Sequence, residues 1–536
     1  MKKVRMILSL LMILVLAISV PIRADSEKKQ MVCGDYKYKL NKDGKTVSIT
    51  KCINKEIEGT MTVPESLDGY KVTRIEGLYG WRGNLTIQKV ILPDSVHYIG
   101  GAFKEFRVLK EINLPEGLKG EIDLQECGLE SISIPKNFKG DLNLSRTKIK
   151  EIDLPKSLEG NLYLGGTKIK EVDLPDGLKG DLDLGGTKIK RVDLPDGLKG
   201  DLNLSSTNLK AVNLPDSLEG NLDLSYTKIK KIDLPDNLKG NLDLSNSTIK
   251  VIDLPDSLRG KIDLSRSKIK KINWPERLNA SIDLSYTRVK KIALPKGVTM
   301  FAASYCDELE ELVITSPKTK IAGQYFGSKE EGYYTTNEKK DMYTEGDAVA
   351  VNKKLKKVTL PKGMKKIPIG AFSCCDNLTD INLPSSIEYI DGNAFFSCDS
   401  LKKIKLPSNL KVLGDGSFSS CRSLKKIVIP GTVRKRKDGH TSTHVHAIGS
   451  SADIGKEAFD YCENLEDVVI KKGVRSIGKK AFYKCKSLRS ITIPKTVKKI
   501  GGKAIPKNGG KTVIKGSAGS WIEKYAKKNG YRFQRI

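Results

Sequence analysis

Residues 221–240 read NLDLSYTKIKKIDLPDNLKG. The twenty residues before them read DLNLSSTNLKAVNLPDSLEG, and the twenty after read NLDLSNSTIKVIDLPDSLRG. Self-similarity at a fixed spacing points to a stack of equal structural units. Aliphatic pairs two residues apart, from Ile122/Leu124 and Leu142/Leu144 to Ile282/Leu284, recur nine times at an unbroken period of 20. Each unit follows LxLxxTxIxxIxLPxxLxG. A single unit of this length buries too little apolar side chain to offset the entropy of ordering it, so neighbours must supply the rest. The phrase is therefore architecture. Function has to reside in columns of exposed positions, in irregular segments, or at the ends.

Each unit carries a small donor at one place: Cys127, Thr147, Thr167, Thr187, Thr207, Thr227, Ser247, Ser267 and Thr287. These residues stand at the Asn position of LxLxx(N/C)xL, the leucine-rich-repeat signature. The chain bends there, and a buried polar side chain must bond backbone groups of the turn.

A second period, of 23 residues, runs through 355–507. Phe372, Phe395 and Phe418 mark it, as do Cys375, Cys398 and Cys421. Phe459/Cys462 and Phe482/Cys485 continue it beyond an insertion at 431–451. These AFxxCxxLxxIxLPxxIxxIG modules resemble the BspA-like leucine-rich repeats of bacterial surface and secreted proteins. GAFKEFRVLKEINLP (101–115) is the same module with Phe106 at the Cys place. The stretch beginning YKYKLNKDGKTVSI resembles that family's opening hairpin, and KTVIKGSAGSWIEKYAKKNGYRF its closing cap. In the cap, Trp521, Ile522, Tyr525 and Ala526 make one apolar helix face, and Gly530 stops the helix. The 20-residue block departs from the family's module. The resemblance implies a non-enzymatic binding protein, in adhesion to extracellular matrix or in surface contacts, and carries over no catalytic residue and no cofactor.

The expected fold is mainly β: a right-handed leucine-rich-repeat solenoid of short 20-residue rungs and 23-residue BspA-like rungs, with an N-terminal hairpin cap and a C-terminal strand–helix cap. The expected divisions are a signal peptide (1–24), the cap hairpin with BspA-like rungs (25–115), nine short repeats (116–300), an irregular transition (301–354), the 23-residue repeats (355–507) and the closing cap (508–536). The start has a basic n-region (Lys2, Lys3, Arg5), an uncharged apolar run and Pro21-Ile22-Arg23-Ala24, the layout of a secretory signal cleaved after Ala24. The expectation is a secreted, extracellular or surface-associated monomer with no membrane span in the mature chain.

The net charge is +30. Residues 121–300 hold 30 basic and 27 acidic residues, whereas 301–536 hold 44 and 24. An exported basic chain is drawn to anionic surfaces. No activated nucleophile pattern, HExxH or phosphate-cradling loop points to an enzyme; the histidine-bearing insertion 431–451 alone keeps a metal-dependent enzyme as a remote alternative. No reading helix or aromatic–basic interleaving points to specific nucleic-acid binding.

Ten cysteines in an exported chain raise the question of disulfides. Pairing Leu40 with Lys45 in the hairpin sets Tyr38 against Val47 and Tyr36 against Ile49, and places Cys33 opposite Cys52 as a cross-strand disulfide. The column Cys375, Cys398, Cys421, Cys462, Cys485 reads instead as a ladder of buried thiols, since in-register neighbours about 4.8 Å apart stand too far for an S–S bond.

Lys150, Lys170, Lys190, Lys210, Lys230, Lys250, Lys270 and Lys290 share one rung position. Such a column could grip a linear polyanion such as an acidic glycan or wall polymer. It could equally be a solvated face neutralised by Asp153, Asp173, Asp193, Asp233 and Asp253, three residues on. Outward strand positions carry Asp141, Asp181, Asp183, Asp201, Asp223, Asp243, Asp263 and Asp283, with calcium binding as the sharper reading. His440, His444 and His446 in the insertion are weak candidate metal ligands; the alternatives are a basic glycan-contacting loop or a tolerated one. Tyr325, Phe326, Tyr333, Tyr334 and Tyr343 are candidate protein or glycan contacts, or the packing of a degenerate rung.

Overall fold

The computed structural model describes residues 30–54, 56–76, 86–321, 351–435 and 452–536. The signal segment 1–24, the aromatic candidates Tyr325 to Tyr343 and the three histidines lie outside the described residues. The chain divides into two compact units, Met1–Lys148 and Ile149–Ile536.

In the first unit, strands β1 (Met31–Cys33), β2 (Tyr36–Leu40) and β3 (Thr46–Cys52) run antiparallel in sequence, with Tyr70–Ile75 and Ser66–Leu67 completing the sheet. The hairpin forms, but its register corrects the sequence reading. Leu40 stands opposite Val47 and Tyr38 opposite Ile49, and after a bulge at Lys37/Tyr38 Tyr36 meets Cys52. A shift of two residues keeps the same apolar faces together, so the alternation of side chains could not choose between the two registers. Asp43 decides it: its Oδ1 accepts from the backbone N–H groups of Lys45 and Thr46, both at 2.9 Å, fixing a wider loop. Upstream the chain turns back at Gly34 (φ 53°), so that Cys33 belongs to β1 and faces Tyr36 from the other side. Tyr36 thus lies between Cys33 and Cys52. Two strand spacings, about 10 Å, separate the cysteines, beyond the reach of a disulfide.

A three-stranded parallel sheet (Gly59–Thr62, Ile87–Ile91, Glu111–Ile112) and the parallel pair Glu121–Asp123 and Asp141–Asn143 complete the strands of this unit. Phe103 and Phe106, packed edge to face at 5.7 Å, and Phe138 fill its rungs.

The second unit is a parallel β-solenoid. Nine strands, from Leu162–Tyr163 to Lys320–Ile321, pair in register, with Leu182 on Leu202 and Leu222 on Leu242. Leu222, Leu224, Ile229 and Leu238 of one rung are buried on their counterparts in the next. The LPxxL segments from Pro155 to Leu238 turn through a bond from the Leu N–H to the Pro carbonyl, as from Leu238 to Pro235 at 3.2 Å, whereas Leu278 N donates to Lys296 O at 2.8 Å. The closing glycine of the rung is required by closeness: a Cβ on Gly220 would lie 2.4 Å from the carbonyl oxygen of Gly200.

The 23-residue rungs stack by the same rule with larger fillers. The rings of Phe372, Phe395, Phe418, Phe459 and Phe482 form one buried pile with centroid spacings of 5.0–5.5 Å. Phe418 rests directly on Phe459 and Lys426 pairs with Asp467, so the insertion leaves the ladder unbroken. Glu311 pairs with Lys357 in the same way, across the stretch that holds residues 322–350. The closing cap has the expected strand (Val513–Gly516) and helix α1 (Trp521–Lys528), plus a further strand, Arg532–Arg535, parallel to the first. Ile522 and Ala526 are fully buried under α1, while Trp521 and Tyr525 stack on each other at 5.4 Å. Among the described residues no helix is long and apolar enough to cross a membrane.

Candidate functional site

The turn after each LxL pair sets the surface. Thr187 Oγ1 donates to the Leu184 carbonyl at 2.7 Å, and Thr147, Thr167, Thr207, Thr227, Ser267 and Thr287 repeat that bond in their own rungs. Cys127 Sγ donates instead to Phe103 O, and Ser247 Oγ has no partner among the described residues.

Making this turn forces the preceding residue into the left-handed region. In the first unit that slot is held by Glu126 (φ 60°) and Arg146 (φ 58°); in the second it is held by Gly166 (φ 73°), Gly186 (φ 69°) and Ser206 (φ 55°), and then by Tyr226 (φ 56°), Asn246 (φ 56°), Arg266 (φ 55°), Tyr286 (φ 61°) and Tyr305 (φ 56°). A side chain there costs about 1–2 kcal/mol relative to glycine. Bulky side chains in this slot therefore carry a cost that the fold does not require. They form a surface row. Tyr226 is 62% exposed. The Tyr286 and Tyr305 rings stack at 4.7 Å with their planes 1° apart, and the Arg266 guanidinium covers Tyr286 at 4.2 Å. The sequence reading missed this row. Its signal was present in the glycines at 166 and 186, which mark a slot filled by tyrosine elsewhere.

The aspartates beside this row work on the backbone. Asp183, Asp223, Asp243, Asp263 and Asp283 each accept the N–H two residues on, at 2.8–2.9 Å, as Asn143 and Asn203 do at 3.1 and 3.0 Å. In the column before them, Asn161, Asp181, Asp201, Asn221 and Asn241 accept an N–H from the next rung at 2.7–2.8 Å. Either column needs an acceptor oxygen, which explains why Asp and Asn interchange. Asp223, Asp243, Asp263 and Asp283 pair rung on rung. Burial, with added repulsion from these neighbours, pushes the carboxyls of Asp243 and Asp283 above their usual range. Among the described residues no cluster of His, Cys, Asp or Glu could hold a metal ion.

The cysteine column is a chain of S–H···O contacts. Cys398, Cys421, Cys462 and Cys485 donate to the carbonyls of Phe372, Phe395, Phe418 and Phe459 in the preceding rungs, at 3.1–3.2 Å. Burial pushes the thiols of Cys398, Cys462 and Cys485 well above their ordinary value.

The eight column lysines, Lys150 to Lys290, are all exposed. Three of their five expected counterions are engaged elsewhere: Asp193 pairs with Arg191 at 3.6 Å, Asp233 with Lys231 at 3.2 Å, and Asp253 accepts from Asn273.

The model of the BspA type leucine rich repeat region matches the chain in six copies, over residues 79–182, 347–440 and 452–534. Similar solved structures include a leucine-rich repeat protein from Bacteroides ovatus (18% identity, 94% of this chain and 99% of that one, TM-score 0.33). A leucine rich cell surface protein from Faecalibacterium prausnitzii is 17% identical over 90% of this chain and 96% of that one, with a TM-score of 0.28. YopM from Yersinia enterocolitica is 17% identical over 79% and 91%, with a TM-score of 0.42. No curated protein matches the chain.

Proposed function

Because the chain belongs to the BspA-type leucine-rich repeat family, we propose that it is an exported, non-enzymatic binding protein that engages an extracellular protein through the outward row of its short rungs. The observation that carries this reading is the set of large side chains held at left-handed backbone positions, Tyr226, Arg266, Tyr286 and Tyr305. Tyrosine and arginine are the residues that dominate protein interfaces, because each offers a large, stiff contact area with polar reach. Strain held at a surface position without gain to the fold is a mark of use. Matrix adhesion is the form of binding that the family resemblance favours.

The test is binding of the secreted chain to immobilised fibronectin and other matrix proteins, compared with a Tyr226→Gly/Tyr286→Gly/Tyr305→Gly variant. Glycine suits the slot, so the variant folds. We expect its affinity to fall by roughly 30-fold or more, the size of a hot-spot loss. Equal binding by both chains, or binding by neither, overturns the reading. The first residue of the secreted protein is expected to be Asp25.

A further inference from the structure

We propose that the second unit carries, on a separate strip of the short rungs, a two-lane cationic track for a linear acidic polysaccharide. The track is broader than a single lysine column. Lys–Ile–Lys triplets at 168–170, 188–190, 228–230 and 268–270, with related triplets in the neighbouring rungs, bury the central residue and expose its two flanks. One lane is Lys150, Lys170, Lys190, Lys210, Lys230, Lys250, Lys270 and Lys290. The other is Lys168, Lys188, Lys228, Lys268 and Arg288. Backbone bonds tie the lanes into rung register, from Lys168 N to Ile149 O and from Lys270 N to Lys250 O.

These cations are available. Among the described residues none of the thirteen forms an ion pair; Lys228 only donates to Asn208 Oδ1 at 3.2 Å. The contrast lies in the longer rungs, which carry most of the net charge. There Lys354, Lys356 and Lys357 pair with Glu308, Glu310 and Glu311 at 3.0–3.3 Å. Glu388 is held between Lys365 and Lys411, and Lys486 pairs with Glu463 at 2.8 Å. The short rungs, nearly neutral in formal charge, thus carry a continuous double column of cations that form no ion pair among the described residues, whereas the longer rungs mix paired and unpaired lysines.

The ligand class follows from spacing and residue type. One lane steps about 4.8 Å per rung, so its seven steps extend about 34 Å. An extended chain with a carboxylate or sulfate on successive sugars can stay over such a track. A B-form duplex completes about one turn in that length, which carries each phosphate strand away from the lanes. Twelve of the thirteen cations are lysine. Lysine is a mobile point charge without the fixed fork of arginine, which favours tracking along a polymer over recognition of one group.

The experiment measures binding of the full chain to chondroitin sulfate from about 50 to about 200 mM salt. With eight charges neutralised, at about 0.7 counterion each, affinity should fall by roughly 10³-fold across that range. A variant with Lys170, Lys190, Lys230 and Lys250 all changed to Gln should bind roughly tenfold or more weakly and lower the salt slope by about 3. A control with Lys356, Lys365, Lys411 and Lys486 changed to Gln removes the same formal charge from paired sites, and should bind as the parent does. Equal losses in both variants would reduce the effect to net charge and overturn the track. So would a salt-independent affinity, or a short DNA duplex that binds as tightly as the glycan. Neither the lane variant nor the control touches the tyrosine row, so failure here leaves the matrix-binding reading standing, and the reverse holds.

Discussion

Ser247 and Ser267 occupy the same turn position in adjacent rungs, are 2% and 3% exposed, and differ in one respect. Ser267 Oγ donates to the Leu264 carbonyl at 2.5 Å, whereas Ser247 Oγ finds no partner among the described residues. Changing each to alanine removes the same oxygen from the same kind of site. Ser267→Ala loses a made bond, worth about 1 kcal/mol net, and leaves the Leu264 carbonyl only the Ser267 N–H at 3.3 Å. Ser247→Ala removes a hydroxyl whose desolvation, on the order of 1–3 kcal/mol, is uncompensated. The first variant should be destabilised by about 1 kcal/mol and the second unchanged or stabilised by about 1 kcal/mol, a separation of about 1–2 kcal/mol. Urea unfolding of the full chain gives the global figure. Hydrogen exchange of the rung amides gives the local one, which matters because stacked rungs can open separately. Equal destabilisation by the two substitutions would refute the assignment of this column to turn closure.

Two further outcomes are expected. Native-state alkylation should label Cys33 and Cys374, which are partly exposed, well before the buried ladder thiols, whose burial keeps them protonated; peptide mapping without reductant should show no Cys33–Cys52 crosslink. Asp460 is buried with its Oδ1 unpartnered among the described residues, and burial, with Glu457 adding and Ser419, Lys480 and Lys456 opposing, pushes its carboxyl from 3.8 to about 6. A carboxyl with a raised folded-state pKa holds its proton more tightly folded than unfolded, so stability falls as pH rises from about 4 to about 6. Asp460→Asn should remove that slope and gain about 1–2 kcal/mol at neutral pH, after allowance for solvent screening; a denaturation midpoint with unchanged pH dependence would count against it.

The stack, its two periods and the small donors of the turn were legible because repetition samples one physical requirement many times over. Nine rungs with Thr, Ser or Cys at one place leave little choice about what that place must do. The hairpin register was not legible. It occurs once, and registers two residues apart satisfy the same alternation, so the Asp43 loop and the turn at Gly34 settled it. The candidate surfaces fell between these cases. The lysine column could be read from spacing, but its second lane and its lack of counterions could not.

By itself, then, the sequence determined a leucine-rich-repeat stack, its rung lengths and which residues lie inside, since burial is dictated by periodic apolar positions that only one winding can bring together. Tertiary structure alone decided which exposed residues are strained, stacked, paired or free. Those properties depend on contacts between residues about 20 apart and on backbone angles that no side-chain pattern encodes. Tyr286 meets Tyr305, Asp233 turns to Lys231, and Ser247 lacks the bond its neighbours make, each for reasons of a few ångströms.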